Sequence, residues 1–442
     1  MALKLIWRNI QRSGGDYLLL ALTVTLLVAI LCLANCIAVF GSIQAGFQTA
    51  SLPVLIVIIL FLLINTIHTF MLHQRAQALA VTLLLGMERR KLRRFYLGEL
   101  CVIGIGCFLL GTLLGASLFS VVISPLLQIR TNTSWLSLMR KSILQTGGYF
   151  FLAELLSGMR IDRQLASLQI SQLLVQKRRN HPIHRKNLRF WQRCFTISFA
   201  LFLIFLIGIA AAQGVLLTLC VGGIALPMLA CIITFYQSLY AYFSHLRSAE
   251  KSGRIKGNRL LWLAELTTGA KTSTNLNALL CVCLVFAASA FGFGMLLLDS
   301  GVNLFEGSMQ TYMGFMQISL CLIFLILYFS ALSLLQILDL KRQARSLKIL
   351  HALGKDRASL NRWVCIQTLF HLGLPAGMGL ALLTIAAPLI NFRLNAEASA
   401  FRQNQVLRLC GSFGFCFCAL YLVYFLAVTV ISRRNLKSVI ES

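Results

Sequence analysis

Long apolar runs alternate along this chain with short segments dense in lysine and arginine. The runs cover about 17–40, 52–72, 97–127, 143–159, 194–212, 215–237, 276–298, 314–338, 367–392 and 406–431. An apolar helix of about 20 residues crosses the roughly 30 Å hydrocarbon core at 1.5 Å per residue. The pattern therefore predicts an all-α, polytopic membrane protein with about ten transmembrane helices. The shortest run, 143–159, contains Glu154 and is required by parity, because the loops at 74–97 and 160–193 are both basic and belong on one side. An ionisable residue in a span is a functional candidate. Glu154 also has a structural reading, in which it lies near the cytoplasmic end and reaches water or Arg160.

Composition sharpens this picture. The 442 residues are 58% hydrophobic and only 12% charged, with a mean hydropathy of +0.81, so the length is divided among spans and not soluble domains. The net charge of +27 lies in loops between apolar runs, which fits anionic lipid and topology and not nucleic acid. Of the 40 lysines and arginines, 34 fall in the segments that a ten-span map places inside. Both termini and the 160–193 connector are therefore expected in the cytoplasm. The fourteen cysteines sit mostly in apolar runs and behave as small hydrophobes. The first run is too long for a cleavable signal and is expected to remain as an anchor. Residues 1–16, with Leu3, Ile6, Trp7 and Ile10 near one face, read as an interfacial helix that ends in a turn at Ser13–Asp16. Residues 260–275, LLWLAELTTGAKTSTN, read as a second one. Gln213-Gly214 is a tight turn that joins the fifth and sixth spans as a hairpin.

One stretch occurs twice. Residues 75–96 read RAQALAVTLLLGMERRKLRRFY, and residues 343–364 read QARSLKILHALGKDRASLNRWV. At an offset of 268 residues Gly86 falls on Gly354, Leu79 on Leu347, Leu85 on Leu353, Arg89 on Arg357, Leu92 on Leu360 and Arg94 on Arg362. Two related halves follow from similarity at this separation. Each copy predicts a short apolar helix that stops at glycine, an acid (Glu88 or Asp356) at the start of the next helix, and a basic lead-in to a span. Taken alone, each copy could be an ordinary cytoplasmic loop with an interfacial helix. The duplication favours a shape that is used.

The segment LLLGMERRKLRRFYLGEL resembles the intracellular loop of FtsX-like permeases, the membrane subunits of one class of ATP-binding-cassette (ABC) systems. The opening LIWRNIQRSGGDYLLLALTVTL resembles the start of the ten-span branch associated with resistance to peptide antibiotics, and the second copy, with Gln367 and Pro375 behind it, resembles the loop of the second half. The resemblance implies a first half over 1–193, a connecting hairpin over 194–245 and a second half over 246–442. It implies ATPase-coupling roles for Leu85, Gly86, Arg89, Arg90, Leu353, Gly354, Arg357 and Arg362. It also suggests Glu99 as the acid behind the first loop and Gln367 as its counterpart. The expected partners are ABC ATPase subunits, which carry the ATP and Mg, together with membrane lipids and a possible second permease chain. The expected location is the bacterial cytoplasmic membrane. Two departures stand out. The large extracellular domain common between the seventh and eighth spans has no room in 299–313, and Ala264 stands where the first half has Arg8. Cargo that is lipidic or amphipathic, including an antimicrobial peptide, and reached from the bilayer is then expected.

Catalytic patterns are missing. The stretch 267–273, TTGAKTS, lacks the first glycine and spacing of a phosphate loop and reads as a helix terminus. His181 and His184 have the spacing of metal ligands without a third nearby, and a solvated basic loop accounts for them. Neither HExxH nor GxSxG occurs. No cofactor is expected on this chain, and ATP hydrolysis is expected on another. Gly111/Gly115 and Gly373/Gly377 are small-xxx-small pairs that permit close helix contact. Two further functions remain open: a secondary transporter or channel without an ATPase, and a regulatory protein that transmits a conformational signal without moving cargo.

Overall fold

The computed structural model describes residues 14–45, 51–123, 135–167, 187–249, 258–299, 308–352, 354, 357–397 and 404–441. Residues 1–13 of the expected interfacial helix, His181 and His184, the segment 300–307 and Leu353 lie outside the described residues, while Gly14–Asp16, expected in the turn that ends that helix, are instead the first residues of a long helix, Gly14–Ala45. Among the described residues there are eleven α-helices and no strand. They fall into two units, 1–181 and 182–442.

The first unit holds α1 (Gly14–Ala45), α2 (Ser51–Leu84), α3 (Arg89–Leu118) and α4 (Trp135–Ser167). A five-residue π-turn, Phe119–Ile123, extends α3. Helix α1 is apolar on all sides and is accordingly the core, with Leu27, Val28, Leu31, Cys32, Cys36 and Ile37 all buried. Helices α3 and α4 turn leucine and phenylalanine outward, at Leu109, Leu110 and Leu113 and at Phe151, Leu152 and Leu155. Such an outer face suits hydrocarbon and not water.

The second unit holds α5 (Leu188–Ala211), α6 (Val215–Gly223), α7 (Ala225–Ala249), α8 (Asn258–Leu298), α9 (Ser308–Ala352), α10 (Arg357–Glu397) and α11 (Gln405–Glu441). Here α8 is the core helix, and α5, α7 and α10 pack on it through Phe202, Leu206, Ile232, Tyr236, Cys281, Val285 and Leu382. Rings from α9 and α11 interlock at Tyr328, Phe329, Phe417 and Tyr424. Gly214, at φ +61°, makes the turn between α5 and α6. The sixth span is broken at Ile224 into α6 and α7. Pro227, which has no N–H to donate to the carbonyl four residues earlier, accounts for the break.

Eight helical stretches among the described residues are long and apolar enough to cross a membrane. They match the first, third and fifth to tenth apolar runs. The other two runs are helical as well, but α2 contributes only a shorter apolar stretch, Leu60–Thr69, and α4 is not among the eight.

Continuity differs from the sequence expectation in three places. The apolar run before each glycine is not a separate short helix: α2 and α9 run unbroken from the preceding span to the loop. The stretch 260–275 is likewise the first part of α8 and not a separate interfacial helix. TTGAKTS therefore lies inside a helix and not at its terminus. The cause is shared: these joints hold alanine, leucine, glutamine and lysine, and a single glycine costs only about 1 kcal/mol within a helix that packing sustains.

Candidate functional site

The first glycine loop is built by its own backbone. Helix α2 ends in a Schellman motif: Gly86 N–H donates to the Leu83 carbonyl at 3.1 Å and Met87 N–H to the Thr82 carbonyl at 3.3 Å. The motif needs a left-handed residue, and Gly86 supplies it at φ +93°. Helix α3 then opens with Glu88 as its extended N-cap residue. Closing the helix this way turns its last apolar side chains into water. Leu84 is 62% exposed, Leu85 83% and Met87 38%. Arg89 and Arg90 are exposed beside them. The loop thus presents an apolar knob on a basic collar, with too few neighbours of its own to bury it.

Beneath the knob, charge ties the hairpin together. Arg75 Nη1 on α2 donates to Glu99 Oε2 on α3 at 3.1 Å, and both residues are buried. Tyr96, also buried, stands beside both charges. Glu99 is the acid that the family resemblance suggests behind the first loop. Arg75 was missed as its partner, although the two are 24 residues apart across the loop.

A second polar tie lies deeper. His68 Nε2 on α2 is 3.4 Å from Glu154 Oε1 on α4, and its Nδ1 is hydrogen-bonded to Ser157 Oγ at 3.0 Å. The side chain of His68 is 2% exposed. Gly104 on α3 leaves room for the carboxylate, since a Cβ there would come within 3.4 Å of Glu154 Oε1. Glu154 therefore faces His68 across the helix interface and does not turn to Arg160. Further polar ties join α3 to α4 through Arg93 and Asp162 at 3.2 Å and α1 to α4 through Asn35 and Thr146 at 2.9 Å.

Residues 50–159 match the FtsX-like permease C-terminal family. This segment is similar to an FtsX-like permease domain. No curated protein matches the chain. The FtsX-like domain takes in α2, the loop, α3 and most of α4, so the knob, Arg75–Glu99 and His68–Glu154 all lie within it. It is part of a multi-pass membrane protein, given the spans described above.

The second glycine lies outside the matched residues but takes the same left-handed conformation, with Gly354 at φ +89°. Arg357 is the first residue of α10, its side chain lying outside the described ones, and Arg362 is exposed. Gln367 is buried, and neither amide atom has a hydrogen-bond partner among the described residues. The two glycine pairs differ. A Cβ at Gly111 would lie 2.7 Å from Val28 Cβ, and one at Gly115 would lie 2.5 Å from the Ala29 carbonyl oxygen, so both sit against α1. At Gly373 and Gly377 a Cβ would meet nothing within 4 Å, so that pair makes no close helix contact among the described residues. Gly379 instead abuts Leu284.

Proposed function

We propose that this chain is the membrane-spanning permease subunit of an ABC system, with ten spans, in a bacterial cytoplasmic membrane and with both termini in the cytoplasm. A separate ATPase subunit carries ATP and Mg and grips the glycine loops. The observation that carries this reading is the exposed apolar knob Leu84–Leu85–Met87. It is set by a Schellman turn, backed by the buried Arg75–Glu99 pair, and lies inside the FtsX-like domain. A few apolar anchors in a partner's pocket supply most of the affinity of such a contact. The basic collar of Arg89 and Arg90 favours an acidic rim on the partner. Gly354, at φ +89°, and Arg357 hold the corresponding positions of the second copy.

The cargo is a lipid, a lipid-linked molecule or an amphipathic peptide, antimicrobial peptides included, taken from the bilayer. The outward apolar faces of α3, α4, α5 and α11 support this class of cargo, as does the short stretch between the seventh and eighth spans. A second permease chain could supply an external domain.

The test uses the full chain with its cognate ATPase in nanodiscs. Leu85→Asp and Gly86→Val are expected to weaken ATPase co-purification and stimulated turnover by about tenfold or more, at unchanged insertion. Stimulation should follow lipidic or amphipathic additions. Full coupling in both variants refutes the loop assignment. Stimulation by a small hydrophilic solute alone refutes the cargo class.

A further inference from the structure

The repeat register carries the first hairpin onto the second, and three ionisable positions change together. At the 268-residue offset that brings Gly86 onto Gly354, His68 falls on Gln336, Arg75 on Gln343 and Glu99 on Gln367. Each becomes a glutamine, which keeps hydrogen-bonding capacity and removes the charge. Gln336 and Gln367 are buried, as His68 and Glu99 are. On the α10 side no acid can take the place of Glu99, although α9 carries Asp339 four residues before Gln343. Helix α10 carries no aspartate or glutamate before Glu397 at its far end. Helix α11 carries only Glu441, whereas α4 of the first unit supplies Glu154 and Asp162.

We infer that the two hairpins are mechanically unequal. Arg75–Glu99 is a latch that makes α2 and α3 move as one body, and the second hairpin, neutral at the same positions, opens more readily. Separating a buried ion pair strands two charges away from water, a far larger penalty than separating two neutral amides. The latch also has somewhere to deliver a displacement. His68, seven residues before Arg75 and so two turns away on the same helix, ties α2 to α4 through Glu154 and Ser157. Arg93–Asp162 ties α3 to the same helix. A push on the first loop therefore reaches α4 with little slack. The geometry stands by itself. Its consequence, that the first loop transmits the ATPase stroke while the second accommodates it, rests on the coupling function proposed above.

The test is hydrogen–deuterium exchange on the full chain in nanodiscs without ATPase, followed in peptides covering 75–99 and 343–367. Residues 343–367 are expected to exchange faster. Arg75→Gln with Glu99→Gln rewrites the first copy as the second and should raise exchange over 75–99 by at least about tenfold, or about 1.4 kcal/mol of opening free energy. Glu99→Gln alone, nearly isosteric, should move it in the same direction. The charge reversal R75E/E99R keeps a pair and should retain slow exchange. Equal exchange in the two hairpins, or no change in the glutamine variants, overturns the latch. Faster exchange in those variants, with an ATPase that responds to no loop substitution, leaves the latch standing and removes the coupling function instead.

Discussion

Gly115→Ala tests the tightest helix contact in the first unit. The new Cβ would lie 2.5 Å from the Ala29 carbonyl oxygen and 2.8 Å from Cys32 Cβ. Neither neighbour can swing aside, because one is main chain within α1 and the other is fixed directly to it. Restoring an ordinary separation of about 3.5 Å requires α1 and α3 to part by about 1 Å. Overpacking of this kind costs about 1–3 kcal/mol. It is offset by the roughly 1 kcal/mol that alanine gains over glycine in a helix. Gly106→Ala on the same helix isolates that gain, since a Cβ there meets nothing within 4 Å. The propensity gain cancels between the two variants, which leaves Gly115→Ala less stable by about 1–3 kcal/mol. At about 2–4 °C per kcal/mol for a unit of this size, the midpoints should differ by roughly 2–12 °C. A thiol-reactive fluorophore in detergent reads the melt, because Cys32 and Cys36 are buried and become reactive on unfolding. If Gly115→Ala melts at or above Gly106→Ala, α1 and α3 are not in contact as described.

Three further outcomes are expected. His68→Leu or Glu154→Leu alone leaves a buried polar partner unsatisfied and should cost about 1–3 kcal/mol, whereas H68L/E154L should recover most of the loss in the same melting assay; additive losses would show that the two residues do not pair. Pro227→Ala should let α6 and α7 fuse, so that spin labels at Val215 and Arg247 move towards the roughly 48 Å of a straight helix; an unchanged distance would place the cause of the break elsewhere. In a background without native cysteines, an impermeant thiol reagent on intact cells should label a cysteine at Asn303 and spare one at Arg178, and the opposite pattern would invert the topology.

What was legible in the sequence was what depends on local chemistry. Hydrophobic runs point to the helices, and the duplicated glycines to both positive-φ positions, because glycine alone takes positive φ at no steric cost. The turn at Gly214 was legible for the same reason. What was not legible depends on which faces meet. Glu99 came only from the family resemblance, and its partner Arg75 is one cation among many in a basic loop. His68 is inconspicuous in an apolar run, and Glu154 keeps both a functional reading and one in which it reaches water or Arg160, because only the crossing of α2 and α4 brings the two together. The two small-residue pairs look alike in sequence, yet among the described residues only Gly111 and Gly115 of the two pairs meet another helix. Helix continuity was misjudged where polarity changed without a breaker, since a change of solvent does not end a helix.

That continuity decides which side of each loop can carry force. Between Pro53 and Gly86, and between Gly314 and Gly354, the sequence holds neither glycine nor proline. At 1.5 Å per residue the 34 residues of α2 extend about 51 Å and the 45 residues of α9 about 68 Å, against a hydrocarbon core of about 30 Å. Each helix that leads into a loop is therefore one stiff rod with a long segment outside the hydrocarbon. The helices that leave the loops are softer: α3 carries Gly98, Gly104, Gly106, Gly111 and Gly115, and α10 carries Pro375 and Pro388. Under the proposed coupling, the incoming rod transmits the push, and α3, latched to α2 at Arg75–Glu99, yields only beyond that latch, where Gly104, Gly106, Gly111 and Gly115 lie. Ala76→Gly with Ala78→Gly softens the α2 rod without touching the loop, at about 1 kcal/mol of helix propensity per site. ATPase co-purification should survive while stimulated turnover falls, separating grip from transmission. Undiminished turnover in that variant, alongside loss of turnover when glycines are added to α3, would assign the lever to the outgoing helix after all.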